Sequence, residues 1–280
     1  MNKLNVFLAL LPLLIGCGGN KPSGNDDFIT VDVTASYPKK ELILQDFMDV
    51  EYIPLETGGE FYTQGNVRTI GKEFILVRNH KSDGDIFIFD RKGKGVRKFN
   101  RKGNGPGEFS FFAHAFLDED NEEIFVNDSQ KRKILVYDLY GNFKRQIKFV
   151  EGDLYGEIHN YDQESFICYN SPYVRRNETT MSPTFFILSK QDGSIIKKIE
   201  IPFDQPKTTV ELLIDRETKK GAAASTPYFF PILHFHNQWL LTEPSADTVY
   251  KYLPDHSKIP FLARIPSIQS MKPEALLLQL

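Results

Sequence analysis

At 280 residues, with 41% apolar and 13% aromatic side chains, the chain can bury a large core, and its 23 Phe and 12 Tyr favour strands over helices. A net charge of −3 and a pI near 6.1 give no general pull towards nucleic acid. Beyond the first residues, no apolar run is long enough to cross a membrane as a helix.

The N-terminus is read as an export signal. Met1-Asn2-Lys3 supplies one positive charge, and Leu4 to Ile15 is an apolar run too short for a bilayer span but of the right length for a secretory core. The run ends in Leu14-Ile15-Gly16-Cys17, which resembles the lipobox of bacterial lipoproteins. The resemblance implies cleavage before Cys17, lipidation of its thiol and acylation of its new amine. Several acyl chains, at about 0.8 kcal/mol per buried methylene, hold a protein durably on a membrane. Residues 1–16 are then a signal peptide and 17–27, rich in Gly, Asn, Ser and Asp, a flexible tether. With Cys17 lipidated, Cys168 has no partner for an intrachain disulfide.

Residues 28–62 precede the repeats as an N-terminal strand segment. Ile29 to Val33 alternates as a strand does, Glu41 to Met48 is a short helix or turn, and Val50 to Leu55 alternates again, with Pro54 marking an edge or an end. An N-terminal edge strand is what a circular propeller uses to complete its last blade.

From Asn66 to Phe149 the chain reads as two copies of one four-strand unit. Asn66–Ile70, Phe74–Val77, Asp85–Asp90 and Val96–Phe99 form the first; Ala113–Leu117, Ile124–Val126, Lys133–Asp138 and Phe143–Ile147 form the second. Asp90 recurs as Asp138 and Gly93 as Gly141, at the same interval. Four short strands in a unit of about 40 to 50 residues mark a propeller blade, which must stack on neighbours to bury its faces. Runs such as Ile86 to Phe89 and Ile134 to Tyr137, apolar without alternation, fit a sheet packed on both sides. A third unit (155–201) and a fourth (229–266) follow. Between them, residues 204–228 are an insertion with a short helix expected at Val210 to Asp215 and a small-residue run at Gly221 to Ser225. A last helix is expected to start at Lys272. The fold class is therefore all-β, a propeller of four-stranded antiparallel blades.

Lys102-Gly103-Asn104-Gly105-Pro106-Gly107-Glu108-Phe109, followed by Ile124 to Asp128 and Lys133 to Phe143, resembles an NHL-type repeat. Together with Tyr52 to Thr57 and Ala246 to Tyr250, the chain resembles the six-bladed propeller lipoproteins of Gram-negative bacteria. Six blades of about 42 residues need about 250 residues after the N-terminal strand, and four units are present, so an open or irregular propeller is expected.

In such blades the loop before each inner strand and the loop after each second strand share a rim. This places Asn79, Asp128, Asn170 and Glu243 beside Glu108 on one side, with His114 and Glu157 near the channel mouth. The oxygen-bearing set resembles the central calcium site of six-bladed lactonases; the alternative is that these side chains shape turns. His234 and His236 are expected on one strand face, and His80, His114, His159 and His256 show no partner in the sequence, which favours structural roles. Cys168 reads as a buried strand residue. Arg91 to Lys98 either grips an acidic group or forms a solvated hairpin and outer strand, Asp118 to Glu122 is a tight acidic turn, and Asn177-Glu178-Thr179 is a sequon with no expected role in a bacterial protein.

The function expected is that of an extracytoplasmic propeller anchored at the outer membrane or cell surface, binding a glycan, peptide or protein through its rim loops. Two rivals stand beside it: a calcium-dependent, lactonase-like hydrolase, and a structural subunit joined through an unclosed blade edge.

Overall fold

The computed structural model describes residues 28–79, 83–111, 114–150, 155–170, 185–205, 210–214, 221–225, 230–236 and 238–270, the backbone alone for 210–214 and 221–225. Cys17, the leader, the tether, His80, the sequon at Asn177 and the helix expected at Lys272 lie outside them.

Four sheets of four antiparallel strands dominate the described residues. The first blade is β2 (Asn66–Ile70), β3 (Phe74–Arg78), β4 (Asp85–Asp90) and β5 (Gly95–Asn100), after β1 (Ile29–Asp32). The second is β6 (His114–Asp118), β7 (Glu123–Asp128), β8 (Lys133–Asp138) and β9 (Phe143–Lys148). The third is β10 (Tyr155–Asn160), β11 (Ser165–Asn170), β12 (Phe185–Ser189) and β13 (Ile195–Ile199). After a hairpin, β14 (Val210–Ile214) with β15 (Gly221–Ser225), come β16 (Ile232–Phe235), β17 (Gln238–Leu241), β18 (Thr248–Tyr252) and β19 (Lys258–Ile265). Within each blade, strands pair in sequence order.

The sequence dictates this layering. β4, β8 and β12 carry continuous apolar runs that are buried on both faces, whereas β5, β9 and β13 carry Lys and Arg and face water. The turn between third and fourth strands repeats. Asp90 Oδ1 accepts N–H donations from Lys92 (2.8 Å) and Lys94 (2.9 Å), and Asp138 Oδ1 accepts them from Tyr140 and Asn142, both at 2.8 Å. A left-handed glycine closes each turn: φ is 82° at Gly93, 78° at Gly141 and 77° at Gly193. A register shift stands beside that turn in each of the first three blades, at Ile88/Phe89, Val136/Tyr137 and Ile187/Leu188.

The core lies between blades. Leu76, Ile86 and Ile88 of the first meet Leu117, Ile124 and Leu135 of the second. Phe116 and Phe125 meet Phe166, with ring centroids 5.6 and 4.9 Å apart and near-perpendicular planes. Ile167, Phe185 and Ile187 meet Ile232, Leu241 and Tyr252. Polar hooks join the same neighbours along one rim. The Glu119 carboxylate accepts N–H donations from Lys72, Glu73 and Phe74; Asn121 Nδ2 donates to the Gln163 carbonyl (2.7 Å); the Tyr161 hydroxyl donates to the Leu253 carbonyl (3.2 Å). The buried Lys190 ammonium lies 2.6 Å from the equally buried Asp118 carboxylate, tying the third blade to the second.

Residues 28–62 run between the last blade and the first. β1 joins β19 in parallel, Ile29 opposite Leu262 and Asp32 opposite Ile265, as a fifth strand outside a sheet that already has four. Val50 to Leu55, expected as a strand, forms none: Pro54 has no N–H to donate, and Ile53, Leu55 and Phe61 instead pack on the outward face of the first blade, on Ile75, Val77, Phe87 and Phe89. The helix expected at Val210 to Asp215 is the strand β14. Its β-branched ends and its five backbone pairings with β15, from Val210↔Ser225 to Ile214↔Gly221, override the helix-forming Glu and Leu between them. Among the described residues no core cluster joins the fourth blade directly to the first.

Candidate functional site: the cavity between the inner strands

Three of the six candidate residues, Asn79, Asp128 and Glu108, hydrogen-bond within turns. Asn79 Oδ1 accepts from the Thr63 hydroxyl (3.1 Å) and the Gln64 N–H (2.8 Å), and its amide donates to Asp83 (2.6 Å). Asp128 Oδ2 accepts from the Ser110 N–H (2.7 Å) and hydroxyl (3.0 Å). Glu108 Oε2 accepts from the Gly105 N–H at 2.8 Å, within its own loop. Asn170 is buried at the end of β11 opposite Tyr155, and Glu243 is buried after β17, with Oε1 3.3 Å from the Ser245 N–H. Asn79, Asp128 and Glu108 thus shape turns, and among the described residues no group of three or more His, Cys, Asp or Glu is placed to hold a metal ion.

His114, the sixth, leads elsewhere. It opens β6 and lines a cavity of about 590 Å³ between the inner strands of all four blades. Each inner strand contributes one basic or imidazole side chain to the wall: Arg68 from β2, His114 from β6, His159 from β10 and His234 from β16. Trp239 stands among them, its ring centroid 4.7 Å from that of His234 and 5.9 Å from that of His159. Tyr161, Tyr252 and Asp162 complete the wall towards the rim formed by the first–second and third–fourth strand turns. That rim is the opposite one from Asn79 and Asp128.

The cavity wall brings the Arg68 guanidinium together with three imidazoles. Arg68 is partly buried and makes no hydrogen bond or ion pair among the described residues, and its Nε is fully buried without a partner. Burial lowers its pKa, and burial followed by the Arg68 charge lowers that of Arg78 to about 10. His114 Nδ1 is likewise buried without a partner. Burial first, then His159, Arg68 and Arg78, depress the His114 pKa to about 3, so its imidazole is neutral near neutral pH. The nearby carboxylates are occupied. Asp162 Oδ1 accepts from the Glu164 N–H and from the Ser165 N–H and hydroxyl, and Glu157 lies 3.3 Å from His159 Nε2.

Sequence reasoning missed the convergence of Arg68, His114, His159 and His234. The usable signal was positional, since each lies in the first strand of a successive unit. The other histidine expectations divide. His236 lies past the end of β16 at φ 48°, its ring 4.1 Å from that of Phe235, so it shares no strand face with His234. His256 Nδ1 is 3.0 Å from the Tyr252 hydroxyl, a structural contact. Cys168 is fully buried, and burial pushes its thiol pKa up. The basic run from Arg91 to Lys98 is a hairpin and outer strand whose charges meet neighbours: Lys98 is 2.9 Å from Asp85, and the Arg97 guanidinium lies 3.9 Å from the centroid of the Tyr140 ring.

Comparison with known proteins bears on the fold. A crystal structure of a Bacteroides fragilis protein described as exported is similar to the chain with a TM-score of 0.55 and 16% identity, over 87% of this chain and 62% of that one. A member of the DUF4221 family from Bacteroides vulgatus is similar with a TM-score of 0.47 and 13% identity, over 79% of this chain and 63% of that one. The chain therefore spans about three fifths of the length of these solved structures. No curated protein matches it. The model of one family, described as a 6-bladed beta-propeller, matches residues 20–279. The chain belongs to that family, DUF5128.

Proposed function

We propose that the chain is a binding propeller of the cell envelope, exported, held to a membrane through lipid on Cys17, and taking its ligand in the cavity between its inner strands. The observation that carries this reading is the convergence on one cavity of Arg68, His114, His159 and His234, one from each inner strand, around Trp239. Blades that needed only to stack would not retain unpartnered polar atoms where their inner strands meet, because each buried unpaired group costs about 1–3 kcal/mol. The leader, the lipobox-like Cys17 and the likeness to a protein described as exported support the location. Glycans and short peptides are the ligand classes that suit a cavity with one aromatic wall and several donors.

Trp239 is the only tryptophan in the chain, so its fluorescence reports on this cavity alone. Titration of the full chain with a panel of oligosaccharides and short peptides is expected to produce a saturable change in emission with at least one of them, and His159→Ala is expected to weaken it. A panel that leaves both emission and melting temperature unchanged would overturn the reading. For the anchor, Cys17→Ser is expected to move the protein from the membrane to the soluble fraction.

A further inference from the structure

We infer that the ligand carries a carboxylate on a saccharide ring, the chemistry of a uronic acid, with the carboxylate on Arg68 and the ring against Trp239. This rests on the cavity being a binding site and adds the class of ligand. Arg68 lies mid-strand in β2, partly buried, with no hydrogen bond or ion pair among the described residues. A partly buried guanidinium without a counter-ion keeps donors to spare, and its planar fork matches a carboxylate through two parallel hydrogen bonds. Nearby protein carboxylates do not serve, since Asp162 is turned to its own loop and Glu157 faces His159. Among the described residues no carboxylate is paired with Arg68, and a ligand carboxylate would fill that place.

The rest of the wall specifies what carries it. Trp239 and Tyr161 stand with ring centroids 6.3 Å apart and planes inclined by 32°, a broad aromatic surface for the apolar face of a sugar. Two residues lining the same cavity carry buried polar atoms without partners, Nδ1 of His114 and Oδ1 of Asn160. Sugar hydroxyls both donate and accept, so they answer either atom. The volume, about 590 Å³, admits one or two rings.

The test uses the full chain with glucuronate, galacturonate, glucose and acetate, followed by Trp239 emission and by calorimetry. At least one uronate is expected to bind at least tenfold more tightly than glucose, which lacks the charge, and than acetate, which lacks the ring. Arg68→Met is expected to remove that advantage, bringing uronate affinity down to that of glucose. Should Arg68→Met fail to fold, Arg68→Lys keeps a charge without the fork and is expected to bind uronates several-fold more weakly than the wild type. Glucose binding as tightly as the uronates, or uronate affinity unchanged in the Arg68 variant, would overturn the acid assignment. If no uronate binds while another member of the oligosaccharide and peptide panel shifts Trp239, the assignment falls and the cavity stands as a site; if none of them does, both fall.

Discussion

At the scale of single residues, the buried polar groups divide into those the fold has partnered and those it has not. Lys190 and Asp118 are partnered, 2.6 Å apart and each about 5% exposed at the side chain. Lys190→Met would leave the buried Asp118 charge without its counter-ion and with only the Asn121 donors on it, at a cost of about 3–5 kcal/mol. Urea unfolding is expected to show that loss, and Asp118→Asn added to Lys190→Met to recover much of it. His114 is not partnered, and its depressed pKa gives stability a pH dependence. Folded, it binds fewer protons than unfolded, so its contribution is fully present above about pH 6.5 and is lost as pH falls towards about 3. The melting temperature is expected to drop over that window, and less steeply in His114→Gln. Most of this was illegible in the sequence. Asp118 and Lys190 lie in different units, and nothing local announces that a blade interface will desolvate both.

At the scale of elements, the sequence was informative wherever a strand is buried on both faces. Ile86 to Phe89 and Ile134 to Tyr137 carry their assignment in composition alone, and the Asp and Gly of the following turns set the register. It misled where an assignment depends on a partner segment rather than on the residues themselves. β14 contains Glu and two Leu, which favour a helix locally, but its hairpin partner β15 is a run of Gly, Ala and Ser that carries little strand signal of its own. Residues 50–55 alternate as a strand does yet pack through side chains on a neighbouring blade. The repeated turn offers a direct check. Gly141 has φ 78°, and a Cβ there would stand 2.5 Å from Phe99 Cγ of the adjacent blade. Gly141→Ala is expected to destabilise by about 1–3 kcal/mol, read as a lower denaturation midpoint.

At the scale of the whole molecule, stability resides between blades, and each of the three interior interfaces has its own apolar cluster. The outward face of the first blade is covered instead by residues 53–61. Removing residues 28–62 would expose Ile75, Val77, Phe87 and Phe89 together, and the shortened protein is expected to bind a hydrophobic dye and to self-associate on size exclusion. The stacking that buries those clusters also gathers the inner strands, which is why the cavity residues could not be found by motif. Arg68, His114, His159 and His234 are far apart in sequence and become neighbours only when blades assemble. The charge that Arg68 brings to the cavity of the sole tryptophan can be probed without a ligand, by comparing the quenching of Trp239 by iodide and by caesium. Iodide is expected to quench more strongly, and Arg68→Met to narrow the gap. Equal quenching, or stronger quenching by caesium, would contradict a cationic, accessible cavity between the inner strands.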